Sequence, residues 1–484
     1  MPAVMSRTAW PVTLGGLALA LGALVAVSPA AGGALIVGLL LLTFVVNARE
    51  GIPLLILGTA AMAAVLYVQA TQGGAPSAAK YLADALLLLG IPFLPRLGRL
   101  LSSRQGSAAN KVLVWTLVSA LVGVVGATDL HATIIANWQD LRWLGAVGIG
   151  LLVADFLEPG QRRGWAFRWL LALNLLNAAV SAYQILSHAY TATRLGLPEI
   201  TGLFGQTTAN SIAATLLLIF VIVERQSTPR PMSRGEMQLA LGIGVLDLVL
   251  STRFKPGLAI VAVLALGYLR HAGARPIAIA FLGAATPIAV TFAFAWITAP
   301  SRGQSENEAV ASVLAHATPR VQFMSGAQVL AAKRFPLGEG SGTYGSDISP
   351  AAEQSAFGKA GLAGVYGFRA HDPQFNSDNF VAHVLGERGY AGLAAWLVSL
   401  AALIYFALIS TPWRFPPSVA IATAALAPVV PIFRDGSAAL ILFLPAALCL
   451  AAKGRAAPPL EARARAACRS RSHSRIRKSQ GDPL

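Results

Sequence analysis

The sequence predicts an all-α, polytopic integral membrane protein of about 14 transmembrane helices with one long extracytoplasmic loop. Three observations predict it. The chain is 55% hydrophobic, with a mean hydropathy of +0.63. Only 12% of its residues are charged, about half the usual fraction in soluble proteins. The apolar residues come in long blocks, and Arg and Lys collect in the short loops between them. The net charge of +16 therefore reads as a positive-inside bias. No nucleic-acid partner is expected.

A span needs roughly 17–25 apolar residues, some here being shorter. Such stretches fall at 10–29, 32–47, 52–70, 80–95, 111–128, 142–157, 165–187, 207–223, 237–252, 256–270 and 276–299. These make an N-terminal bundle over 1–299. A polar segment, 300–388, separates it from spans at 389–411, 416–433 and 437–452. Arg49, the run Arg96/Arg99/Arg104/Lys111, Arg162/Arg163, Arg225/Arg230/Arg234, Arg270/Arg275 and Arg414 all fall on one side of this threading. That side is cytoplasmic. Both termini are expected there, with 300–388 outside.

The tail over 453–484 is rich in Arg, Ser and Pro. It reads as disordered and attracted to anionic membrane lipids. Cys449 and Cys468 imply no disulfide framework. No cleavable signal peptide is expected, because the first apolar block runs straight into others. No internal repeat is evident, which weighs against transporters built from duplicated halves.

The stretch 376–392, NSDNFVAHVLGERGYAG, closes the polar segment and runs into an apolar span. It brings acids, amides and a His to the mouth of a membrane helix. Ionisable groups there are functional candidates. On a helix, Asp378 and Glu387 point to opposite sides, whereas His383 and Glu387, four apart, can touch. The simplest division has Asp378 and Asn379 facing a site, with His383 and Glu387 locking the helix. Gly386, Gly389 and Gly392 form a bare ridge for a neighbouring helix. Ser377-Asp378-Asn379 is also cap-like, so a helix N-cap is the alternative reading of Asp378.

Asp378-Asn379, nine residues, Gly389, two residues and Gly392 resemble the signature of the O-antigen ligase and polymerase family. In that signature a His stands where this chain has Asp378. The same region resembles the SEDS peptidoglycan polymerases, whose acid at this place is catalytic. Gly202-Leu203-Phe204-Gly205 followed by Asn210 resembles the family's second landmark; a glycine turn with an Asn cap is the plainer reading. Ser251-Thr252-Arg253 is similar to a third. There Arg253 and Lys255 face outward against the charge trend, suited to pyrophosphate or to a lipid headgroup. Arg320 and then Pro336-Leu337-Gly338-Glu339-Gly340 resemble the family's loop arginine and Pro-Leu-x-Gly-x-Gly run. Arg194 with Gly205, and Arg334 with Gly345, each fit a paired outer-loop spacing of the polymerases.

The resemblance implies a membrane glycosyltransferase at the outer face of the bacterial inner membrane. It would polymerise repeat units carried on undecaprenyl pyrophosphate. Asp378 would be the base, with His371 as a second acid/base group or an ordinary loop histidine. Arg253, Arg320, Arg194 and Lys255 would hold the pyrophosphate, supported by Asn379, His383, Glu387 and Asn210. Neither a metal nor another cofactor is implied. Polysaccharide export or assembly proteins are further candidate partners. A ligase is the nearest alternative. A flippase for the same lipid-linked glycan is the alternative of another class, expected to carry its acids near mid-membrane. His131 and His188 read as boundary residues, and Asp84 and Asp155 as buried helix-packing acids.

Overall fold

The computed structural model describes residues 48–71, 79–127, 129–188, 193–194, 197–198, 200–204, 207–225, 231–251, 257–271, 319–346, 349, 354–362, 368, 379–410, 414–427 and 436–451. The expected spans at 10–29, 32–47 and 276–299 and the basic tail lie outside them. Among the described residues the chain is helical apart from one two-residue ribbon, β1 (Thr193–Arg194) antiparallel to β2 (Leu197–Pro198).

In order, the helices are α1 (Ala48–Thr71), α2 (Ala79–Gly90), α3 (Pro95–Leu100), α4 (Ser103–Val125), α5 (Leu130–Phe156), α6 (Arg162–Leu186) and α7 (Thr207–Glu224). They continue as α8 (Arg234–Leu250), α9 (Gly257–His271), α10 (Pro319–Lys333), α11 (Gln354–Lys359), α12 (Phe380–Ile409), α13 (Phe415–Leu426) and α14 (Gly436–Ala451). Four of them, α4, α6, α7 and α12, are long and apolar enough to cross a membrane. Shorter apolar helices lie at Ile52–Leu66, Tyr81–Phe93, Phe415–Leu426 and Gly436–Ala451. α4 turns Val114, Leu117, Leu121 and Val125 outward, a face suited to lipid rather than water. These are the features of a helical membrane protein.

Local chemistry sets the boundaries. Ser102 and Gln105 form a capping box at the start of α4, as Ser233 and Glu236 do for α8. Asp129 caps α5 by accepting from the His131 and Ala132 amides. That cap starts α5 twelve residues before the expected span at 142. The polar residues between them are helical because their side chains find buried partners.

α12 likewise begins at Phe380, not at 389, so the segment expected as a loop over 300–388 ends earlier and also contains α10 and α11. Asp84 packs α2 on α5 as expected: Arg142 grips it with Nε and Nη2 at 2.6 and 2.8 Å, and Trp138 Nε1 donates at 2.9 Å. Asp155 departs from expectation. Paired with Arg96, it is half exposed.

Small residues let the helices approach. Gly90, Gly145 and Gly148 put the α2 and α5 backbones where any side chain would collide with a main-chain atom. α4 and α12 share a polar seam. Ser119 Oγ donates to the Gly392 carbonyl at 2.9 Å, and Thr116 and Ser399 hydroxyls meet at 2.8 Å. Gln105 Nε2 donates to Ser410 Oγ at 3.2 Å. Further along the bundle, Phe220 stacks obliquely between Phe167 and Phe415, 5.5 and 4.7 Å away.

Candidate functional site

The first turns of α12 carry four buried polar groups, Asn379, His383, Glu387 and Arg388. Asn379 is the N-cap: its Oδ1 accepts from the Val381 and Ala382 amides at 3.0 and 3.2 Å. The cap is therefore one residue later than the reading that placed it on Asp378. Asn379's carbonyl-type oxygen is spent on the helix rather than offered to a site.

The helix breaks at Gly389, whose φ of 62° and ψ of −162° are open to glycine and strained for other residues. The glycine-rich loop 335–346 fills this break. The Glu339 and Gly340 amides donate to the Gly386 and Glu387 carbonyls at 2.9 and 2.8 Å. The Ala391 amide donates to the Pro336 carbonyl at 3.1 Å. The loop also docks on its other side: the Ser341 amide donates to Gly123 on α4, and Thr133 Oγ1 on α5 donates to the Ser341 carbonyl.

The expected glycine ridge thus packs differently from the prediction. The Tyr344 ring covers Gly386, the Pro336–Leu337 backbone covers Gly389, and Arg388 itself folds over Gly392. At Gly386 and Gly389 the ridge receives a loop; at Gly392 the neighbouring helix α4 approaches, Ser119 Oγ donating to the Gly392 carbonyl.

Beneath the loop lies a buried ionic cluster. The Tyr344 amide donates to Glu387 Oε1 at 3.1 Å, and the Tyr344 carbonyl sits 2.8 Å from His383 Nδ1. His383 Nδ1 is 3.4 Å from Glu387 Oε1, the expected pair four residues apart. His383 Nε2 is 3.6 Å from Asp140 Oδ2 on α5. Arg388 pairs with the same Asp140 oxygen, and it reaches Ser119 Oγ at 3.2 Å and Asn137 Oδ1 at 3.3 Å.

All four ionisable side chains are nearly inaccessible. Two carboxylates, a guanidinium and an imidazole meet there and join α5 and the loop to the head of α12, which makes the cluster a clamp. A cavity of ≈ 30 Å³, lined by Asp140, Arg388, Thr116, Ser399, Trp143 and Trp396 among others, adjoins it. It has room for a water molecule or two.

Aromatic rings anchor the loop from behind. Tyr344 stacks on Phe323 at 4.5 Å and on Phe357 at 4.9 Å. Its hydroxyl donates to the Phe323 carbonyl at 2.6 Å. Burial pushes its phenol well above the ordinary tyrosine range, so it stays a neutral donor.

The other expected site residues fall as follows. Asn210 is not a helix cap. It lies inside α7, where its Nδ2 donates to the Thr201 carbonyl and ties down the turn at Gly202, a residue with φ of 60°. Asn177 and Gln184 hold the same turn through the Leu203 and Gly202 amides at 2.9 and 2.8 Å. Arg194 belongs to β1, and Arg320 opens α10, which packs on α12. Asp378, His371, Arg253 and Lys255 lie outside the described residues. His131 and His188 are exposed, as expected of boundary residues. Arg334, 3.5 Å from Glu339 Oε1, stands between the end of α10 and the glycine-rich loop.

Sequence reasoning missed Asp140, Arg388 and Tyr344. One signal was present: Asp140 and Arg142 stand two apart beside an apolar run, behind a cap-like Asp129. No family model, no curated protein and no solved structure matches the chain.

Proposed function

We propose that the protein is an integral-membrane glycosyltransferase that polymerises oligosaccharide repeat units carried on undecaprenyl pyrophosphate. The observation that carries the reading is the union of two motifs. The Pro-Leu-x-Gly-x-Gly run at 336–340 and the 376–392 stretch, distant in sequence, are hydrogen-bonded into one unit at Gly386–Ala391. Both belong to the set on which the family resemblance rests.

The reaction follows from the donor. The acceptor hydroxyl attacks the anomeric carbon of the lipid-linked sugar and loses its proton to the Asp378 carboxylate. The bond from that carbon to the pyrophosphate breaks, and the lipid pyrophosphate leaves with the electron pair. Arg253 and Arg320 stabilise its growing charge, with Arg194 and Lys255 as further cations. His371 is the reserve acid/base group. His383 and Glu387, both buried and engaged, position the helix that follows Asp378. The proposed setting is the outer face of a bacterial inner membrane, with both termini cytoplasmic.

Purified protein in nanodiscs, given an undecaprenyl-pyrophosphate-linked oligosaccharide and no nucleotide sugar, should yield a ladder of longer lipid-linked chains. The ladder should survive EDTA. Transfer only to a different acceptor lipid would identify a ligase instead. Passage of the substrate across the bilayer with no change in length would identify a flippase.

A further inference from the structure

The loop that seats in the α12 break also turns a group of side chains outward. Phe335 is 73% exposed and Tyr390, beside the break, is 36% exposed. Their rings meet at 5.9 Å. Next to them, Arg334 and Lys359 are both held by one buried carboxylate. Arg334 Nε lies 3.5 Å from Glu339 Oε1, and Lys359 Nζ lies 2.7 Å from Glu339 Oε2. Lys333 Nζ donates to the Lys359 carbonyl at 3.2 Å and brings a third cation to the group. Glu339 answers one of these three positive charges. Its amide is bound to the Gly386 carbonyl, so the cations are fixed relative to the head of α12.

The helices beneath say where this group stands. α4 and α12 run antiparallel, joined at Gln105 and Ser410, Thr116 and Ser399, and Ser119 and Gly392. From Gln105 to Val125, α4 rises about 30 Å, which matches the hydrocarbon thickness of a bilayer. The outward apolar stripe Val114, Leu117, Leu121 and Val125 runs along this length. It stops beside Gly126, whose carbonyl accepts from Arg334 Nη1 at 3.5 Å. Arg334 and Phe335 therefore continue the lipid-facing surface at its edge, where Tyr390 begins the long apolar part of α12.

That edge is the headgroup layer. Amphipathic rings such as that of Tyr390 are favoured at this depth. Phe335 extends the apolar surface, and long basic side chains reach from it to phosphate. The surplus of positive charge matches a lipid with a net negative headgroup.

We propose that Phe335, Tyr390, Arg334 and Lys359 form a docking site for an anionic phospholipid at the membrane boundary. The rings pack on the upper acyl chains, and the two cations, set apart by Glu339, hold the phosphate. The lipid fixes the depth of the glycine-rich loop and of the Gly389 break. This inference rests on the membrane-protein reading and not on glycosyl transfer, because its test identifies a bound molecule rather than a product.

The test places the photoreactive p-benzoylphenylalanine at Phe335 in the full chain. The protein is irradiated in cell membranes and in nanodiscs of equal phosphatidylglycerol and phosphatidylcholine, and the adducts are identified by mass spectrometry. The expected result is a phospholipid adduct in both, with phosphatidylglycerol in severalfold excess over phosphatidylcholine in the nanodiscs. Arg334→Gln combined with Lys359→Gln should bring the two lipids to parity. An adduct to a peptide of this or another protein, or to a lipid-linked glycan, would overturn the proposal, as would an undiminished excess in the double variant. If the double variant is not made, the nanodisc ratio alone decides; equal labelling of the two lipids overturns the site.

Discussion

Arg388 on α12 and Asp140 on α5 form an ion pair in the interior of the bundle, their side chains 1% and 3% exposed. Removing one partner strands the other charge where water cannot reach it. Asp140→Leu alone should therefore destabilise the protein by about 3–5 kcal/mol. Asp140→Leu combined with Arg388→Met should recover part of that loss, because neither charge of the pair is then left buried without the other. Thermal unfolding of the two single variants and the double variant checks the coupling. Additive losses would show that the pair is not the clamp.

Gly389 is the hinge on which the loop and helix meet. Its φ of 62° and the contact with Leu337 and Pro336 leave no room for a side chain. Gly389→Ala should cost about 1–3 kcal/mol in backbone strain, with the steric clash in addition. It should lower Tm and yield of inserted protein far more than Gly358→Ala, whose position faces open space. Equal yields and equal Tm would show that the break is not required.

The structure also tells which part of the site the sequence could reveal. Most helices follow the apolar blocks closely: 165–187 became Arg162–Leu186, and 437–452 became Gly436–Ala451. The errors fall where polar residues are helical and buried. Asn137 to Leu141 and Phe380 to Arg388 fall outside the apolar spans at 142–157 and 389–411 because hydropathy assigns their polar groups to water, although the spacing of His383 and Glu387 suits a helix. Their partners lie far away in the chain, Asp140 and Arg388 being 248 residues apart. A spacing rule can find His383 and Glu387, four apart on one helix, but it carries no information about Asp140. The glycine-rich loop was legible as a motif, while its seat on Gly386–Ala391 was not, since main-chain hydrogen bonds leave no mark on residue type.

Topology has a direct check. Ser346 is fully buried, so an exposed position must report the outer face, and Gly358 is one. Gly358→Cys should react with a membrane-impermeant maleimide applied to intact cells. Gly235→Cys, exposed at the start of α8 on the cytoplasmic side of the threading, should react only after the membrane is opened. The reverse pattern would place the α12 clamp on the wrong side for an external glycan donor.

The proposed pyrophosphate clamp predicts that Arg253→Ala and Arg320→Ala each lower polymer synthesis at least about tenfold, roughly 1.4 kcal/mol of transition-state stabilisation. Lys should substitute poorly at both, since it lacks the bidentate fork. Chain-length analysis of the polysaccharide at matched protein levels measures the effect. Normal polymer from both alanine variants would remove these arginines from the donor site.

The central claim is that Asp378 takes the acceptor proton, and Asp378→Asn tests it most directly. Asn379, not Asp378, caps α12, so the variant leaves the cap in place. It removes little beyond a proton-accepting carboxylate. The measurement is the amount and length of lipid-linked glycan in cells producing the variant at wild-type level. The account predicts normal insertion, no polymer, and accumulation of single lipid-linked repeat units. Near-normal polymer from Asp378→Asn would contradict it and move the search for the base to His371.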